Sequence, residues 1–106
     1  MKKRLIILGS TGSIGTKTLE VVGVMDVGFI TNHISFANVD GKTLAYVTVG
    51  GENIVKVYTT DKIAELIKTI PVGALPHGIW TSDDSSRVYV GLENGDAVDV
   101  IDTAAN

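Results

Sequence analysis

Two patterns of apolar residues divide this chain. Leu5, Ile6, Ile7 and Leu8 form one continuous apolar run, the pattern of a strand buried on both faces. Glycines follow at Gly9, Gly12 and Gly15, three apart. Ser13 stands where it can cap a helix. Ile14, Thr18, Val21 and Val22 then fall at i, i+4, i+7 and i+8, one helical face, before Gly23 as a stop. The spacing predicts a strand, a tight turn and a helix over residues 1–23.

From about Val24 the period changes. Short β-branched and aromatic runs (ISF, LAYVTV, NIVKVY, HGIWT, RVYVGL, AVDVID) alternate with Gly, Asn and Asp clusters, as in antiparallel strands joined by tight turns. VDGK from Val39, VGGEN from Val49 and LENGD from Leu92 are hairpin connections that hold a residue able to take positive φ. A repeat underlies this texture. Tyr46, Val47, Val55 and Val57 recur 43 positions on as Tyr89, Val90, Val98 and Val100, whereas His33 and Asp40 recur 44 positions on as His77 and Asp84. A period near 43 with four short strands per unit is that of a propeller blade. DKIAELIKTIPVG is ambiguous. Asp61 as N-cap with Ile63, Leu66, Ile67 and Ile70 on one face reads as a helix, while the repeat asks for an outer strand and favours Leu66 to Val72.

Composition narrows the function classes. The 106 residues, 44% hydrophobic, suit a single domain with a core. A formal charge of −3 and scattered basic residues argue against a nucleic-acid partner. The absence of cysteine removes disulfides, thiolate metal sites and cysteine nucleophiles together. Lys2, Lys3 and Arg4 precede an apolar run of only four residues, short of the roughly 7–15 of a signal peptide. No stretch approaches the roughly 18 apolar residues of a membrane span. A soluble chain without a membrane partner is expected, and nothing assigns it a compartment.

KKRLIILGSTGSIGTKTLEVV resembles the N-terminus of the 1-deoxy-D-xylulose 5-phosphate reductoisomerase family, in which Gly-Ser-Thr-Gly-Ser-Ile-Gly is the NADPH-binding turn of a Rossmann-type domain. That resemblance covers about a fifth of the chain. It implies that Gly9 permits the exit from the strand and Gly15 allows close helix packing. Thr11, Gly12, Ser13 and Ile14 would face the cofactor phosphates. The remainder, from about Met25, resembles the YVTN-type β-propeller repeat through Tyr46-Val47-Thr48, IPVGALPHGIW and RVYVGLENGDAVDVIDT. Neither parent is complete, and the abrupt change near Gly23 to Met25 points to a recombined chimera.

The candidate sites compete with plainer roles. A dinucleotide needs a ribose clamp at the end of a second parallel strand, near twenty residues on. Thr31, Asn32 and His33 offer no convincing one. His33 and His77, at matched repeat positions, could ligate a transition metal, but two ligands without a local carboxylate favour structural histidines. Asp83, Asp84, Asp96, Asp99 and Asp102 lack EF-hand spacing and suit solvated turns. Trp80, Tyr89, Tyr46 and Tyr58 could line a groove, though alternating aromatics on strands are more often core. Ser82, Ser85 and Ser86 have no histidine at a fixed spacing, and no nucleophile–base pair emerges.

The expected architecture is therefore mainly β with an N-terminal βα unit: antiparallel propeller-blade-like sheets in an incomplete ring, within one domain spanning 1–106. Residues 1–23 would form a Rossmann-like element, 24–74 a first blade and 75–106 a second, partial one. An α+β or α/β novel fold from recombined fragments is the alternative. The expected core includes Phe36, Leu44, Tyr46, Val55, Val57, Ile79, Trp80, Val88, Val90 and Val98. The expected function is that of a structural or model protein, not an enzyme, with no cofactor and no metal, forming homo-oligomers through exposed sheet edges. A weak nucleotide- or phosphate-binding module using Gly9 to Gly15 is the alternative.

Overall fold

A computed structural model describes residues 2–10, 19–61 and 63–105, with side-chain surroundings from Gly23 onward. The described residues form three antiparallel sheets. The first pairs β1 (Lys2–Ser10) with β2 (Leu19–Phe29). The second runs in simple order through β3 (Thr31–Val39), β4 (Lys42–Val49), β5 (Ile54–Thr59) and β6 (Leu66–Pro71). The third holds β7 (Pro76–Thr81), β8 (Arg87–Leu92) and β9 (Val98–Asp102). A 3-10 turn, Gly50–Glu52, joins β4 to β5. Among the described residues no sheet closes on itself, and the chain is mainly β, antiparallel and open.

The expected helix gives way where it is described. Leu19 to Val22 belong to β2, with Val21 opposite Leu8 and Leu19 opposite Ser10. LEVVGVMDVGF is rich in β-branched valine, which suits a pleated surface, and the expected helix was shorter than the roughly 12–15 residues at which helices hold unaided. The rest of that helix, residues 13–18, lies outside the described residues. β2 also runs unbroken through Gly23 to Met25, where the texture changes. Between the two readings of 61–70 the strand prevails, at Leu66–Pro71.

Local geometry places the repeat more finely than residue matching does. Ile30 and Leu75 take φ of 56° and 55°, and Asp40 and Ser85 take 51° and 61°. Each pair is 45 positions apart. Gly50 N–H donates to Ile30 O at 2.7 Å, and Glu93 N–H to Leu75 O at 2.9 Å. Tyr46 pairs with Ser35 and Val57, just as Tyr89 pairs with Trp80 and Val100. The offset is thus 45 in the innermost strands and 43 in those that follow. The difference is absorbed in the first hairpin, where Phe36 faces Ala45 but Thr81 faces Val88. Asn32, not His33, occupies the place equivalent to His77. In the longer hairpin Asp40 and Gly41, with φ of 51° and 78°, make the two-residue turn with both φ positive that matches strand twist.

Pleating then sorts the side chains. Tyr46, Val55, Val57 and Ala37 on one face of the four-stranded sheet pack against Ile79, Val88, Val90 and Ile101 of the three-stranded sheet. Its opposite face presents Ala45, Val47, Val49 and Tyr58, with Ile34 and Ile54 at the margin, to Val27 and Met25 of β2. The N-terminal hairpin thus covers a sheet face and extends no edge. Lys56 Nζ donates to Val27 O, and Phe29 N–H donates to Glu52 Oε2 at 2.7 Å. The approach is close enough that a Cβ on Gly28 would lie 2.6 Å from Val49 Cγ1.

Six expected core residues are buried: Tyr46, Val55, Val57, Ile79, Val88 and Val90. Phe36, Trp80 and Val98 are instead exposed at 54%, 60% and 56%. Trp80 and Val98 sit on the face of the three-stranded sheet that turns away from the four-stranded one. Alternation alone cannot say which sheet face acquires a cover. Tyr46 fills the centre of the stacked faces with no exposure. Tyr46→Ala is expected to lower the unfolding free energy by about 3 kcal/mol or more. Ile63→Ala, at a 77% exposed position, should stay within about 0.5 kcal/mol. Urea unfolding monitored by circular dichroism checks both.

Candidate functional site

Gly9 lies in β1 opposite Glu20. Thr11, Gly12, Ser13, Ile14 and Gly15 lie outside the described residues. What is described around the turn differs from a dinucleotide crevice. That crevice sits at the carboxyl ends of parallel strands, and β1 runs antiparallel to β2. Thr31, Asn32 and His33, at the distance of a ribose clamp, open the first strand of a different sheet.

Thr31 ties β3 back to β2, while Asn32 and His33 lie at the junction between the four-stranded and three-stranded sheets. Thr31 Oγ1 donates to Gly28 O at 3.2 Å, and Asn32 Nδ2 donates to Pro76 O at 3.0 Å. His33 N–H donates to Thr48 Oγ1 at 3.0 Å, and the same hydroxyl donates to His77 O at 2.8 Å. Thr48 is fully buried, so its hydroxyl needs both partners, and it obtains one from each sheet. The imidazoles of His33 and His77 lie 4.7 Å apart, tilted by 50°. They are neighbours as expected, although not at equivalent places in the repeat. Among the described residues no group of three His, Cys, Asp or Glu side chains converges on a common point, and two imidazoles fall short of the usual metal set. The cluster is built to join sheets.

The repeat signature Tyr46-Val47-Thr48 contains Thr48 but assigns it no role. The signal that could have found it is a hydroxyl amid the fully apolar run around Tyr46 to Val49, which must have a partner once buried.

The carboxylates do local work. Asp84 Oδ1 accepts from Ser86 Oγ at 2.7 Å, Ser86 N–H at 2.9 Å and Ser82 Oγ at 2.8 Å. These bonds, those from Ser86 foremost, lower its pKa from 3.8 to about 2. Asp99 Oδ2 accepts from Gly73 N–H at 2.7 Å, tying the segment between β6 and β7 to β9. Asp102 accepts from Ala104 N–H at 2.9 Å and stands 3.8 Å from the Arg87 guanidinium. Ser85 Oγ accepts from Asn38 N–H at 3.0 Å across the sheets. The serines of this turn are thus held by structural bonds. Tyr58 is pushed above its usual range by burial, then by the nearby Glu52 charge.

Trp80 and Tyr89 do not line an enclosed groove. Tyr89 is 38% exposed, and the Trp80 indole lies across the backbone of Gly78 on an open face. Tyr46 and Tyr58 are core, as expected of alternating aromatics.

Comparison with known proteins gives one relation. The family model for 1-deoxy-D-xylulose 5-phosphate reductoisomerase matches residues 5–98. No curated protein and no solved structure matches the chain.

The low pKa of Asp84 sets a pH dependence. Its folded-state pKa lies below the unfolded value, so its contribution to stability is present above pH 3.8 and lost as pH falls through about 2. Asp84→Asn should lower Tm at neutral pH, and the gap from the parent should close between those two values. Melting curves recorded across that range check it.

Proposed function

The chain belongs to the 1-deoxy-D-xylulose 5-phosphate reductoisomerase family, and we propose that it serves as a structural member without catalytic activity. The observation that carries this reading is the stacked pair of blade-like sheets. Residues 31–102 are spent on two repeat-related antiparallel sheets whose polar side chains bind each other and their own turns. A hydride-transferring site needs a preorganised constellation in a crevice. Thr31, Asn32 and His33, at the distance of a ribose clamp, are engaged in structural bonds to Gly28, Pro76 and Thr48.

In this reading a glycine turn of the reductoisomerase type has been joined, as a recombined chimera, to two blades of the YVTN type within one domain. The change of residue pattern near Gly23 to Met25 supports the join, and the paired positive-φ positions 45 apart support only the internal repeat. The reductoisomerase match, over residues 5–98, runs through the join and weighs against it. Exposed sheet edges lead such a module to homo-oligomers.

Family membership favours a second reading, in which Gly9, Thr11, Gly12, Ser13, Ile14 and Gly15 retain anion capture as a weak nucleotide- or phosphate-binding module. Thermal-shift titration with NADPH, ATP and inorganic phosphate separates the two. The structural reading expects no saturable rise in Tm with any of them. A saturable rise that Gly12→Asp abolishes would replace it with the binding module.

A further inference from the structure

A strand fills the lane beside the four-stranded sheet's β5, and the matching lane beside β9 is open. Val72 N–H donates to Asn53 O at 3.0 Å. With Val55 opposite Ile70 and Val57 opposite Lys68, the alternation of an antiparallel ladder aims the backbone groups of Val55 and Val57 at β6. Their counterparts in the repeat are Val98 and Val100. Leu92 N–H donates to Ala97 O and Thr103 N–H to Ser86 O. By the same alternation the backbone groups of Val98 and Val100, and the N–H of Asp102, point away from β8. Among the described residues no strand meets them there. The lane opens onto a cleft of about 500 Å³, with Ile70 and Val72 on one wall and Asp99 and Ile101 on the other.

An unpaired edge holds an extended peptide through its main chain and selects it through alternate side chains. A residue opposite Ile101 enters the cleft beside Ile70 and Val72, which calls for an apolar group. Residues opposite Val98 and Val100 extend the exposed apolar surface that holds Trp80 and Tyr89, and call for apolar groups too. Residues opposite Asp99 and Asp102 meet carboxylates and call for cations. From Leu75 onward the chain carries six carboxylates against one arginine, so the field around the lane favours the same sign of partner. We propose that β9 binds an extended segment of a different polypeptide as a fourth, antiparallel strand. From its N-terminal end that segment reads cation, apolar, apolar, cation, apolar. A second copy pairing through its own β9 would crowd Asp99 and Asp102 of both strands together, and charged edge residues of this kind oppose self-pairing. The proposal thus goes beyond the structural role. Homo-oligomers are left to edges such as β6, which carries no carboxylate.

The probe is the synthetic peptide acetyl-Ser-Lys-Val-Val-Lys-Val-Ser-amide, titrated into the full chain at physiological salt while backbone amides are followed by NMR. Saturable shifts are expected, concentrated at Val98, Val100 and Asp102. An N-methyl group on the second valine, whose N–H faces β9, should weaken binding roughly tenfold by removing one hydrogen bond. The same group on the second lysine, whose N–H faces away, should change it little. Glutamate in place of both lysines should abolish binding. Val100→Pro removes an N–H that bonds nothing in β8, at an edge position where proline is tolerated, and should also weaken binding roughly tenfold. If that variant loses its native circular dichroism, Asp102→Asn, at an exposed position, takes its place and should weaken binding of the lysine peptide alone. The proposal is overturned if the lysine peptide does not saturate at millimolar concentration, if both methyl groups act alike, or if the glutamate peptide binds equally well. Self-association that shifts the same amides without peptide also overturns it, since the lane then belongs to a second copy. None of these readouts depends on whether the glycine turn captures an anion.

Discussion

Where Tyr46, Val55 and Val57 of one sheet press on Val88, Val90 and Ile101 of another, the chain buries side chains worth roughly 1.5–3 kcal/mol each. Neither sheet could hide that apolar face alone. The requirement that the two faces meet fixes their spacing, brings β3 beside β7, and thereby forces a row of polar side chains into the seam. Thr48 answers it by bonding to the backbone of both His33 and His77. Asn32 and Ser35 answer it further along the strand by bonding to Pro76 and Thr81, and the Asn38 N–H donates to the Ser85 hydroxyl. The residues that first invite a functional reading are therefore the ones that make the apolar contact tolerable to the backbone around it.

The same logic accounts for the N-terminal hairpin. A two-stranded ribbon has little stability by itself, whereas the second face of the four-stranded sheet is apolar and needs a cover. Met25 and Val27 supply it, and Lys56 and Glu52 fix the ribbon through its backbone. One ribbon cannot serve two faces, so the outer face of the three-stranded sheet is left with Trp80, Tyr89, Val98 and Val100 in water. Membership of an enzyme family thus coexists with an architecture given over to packing sheets.

Much of this was legible in the residues. Alternating valines and tyrosines and Asp-Gly turns led to open antiparallel sheets, and the repeat chose the strand at Leu66–Pro71 over a helix. Less legible was anything that depends on distant cover. Trp80 and Val98 alternate like core residues, yet their exposure is decided by how many sheets there are to stack. The helix expected through Leu19 to Val22 failed because its apolar positions also satisfy a strand, and only pairing with β1 distinguishes the two. Matching His33 to His77 placed the two rings together correctly but misjudged the register, because a two-residue difference between hairpins is absorbed next to that match. The glycine turn was the most specific motif and bears least on the described architecture.

If face-to-face stacking is what holds the molecule, the two blade-like sheets must open together. Native-state amide hydrogen exchange along a denaturant series tests that most directly. Amides of β4, β5 and β8 should be the slowest, with opening free energies that merge into one shared unfolding event. Exchange of β8 through a separate opening of much lower free energy than that of β4 and β5 would contradict the account, because the sheets would then fold independently of their contact.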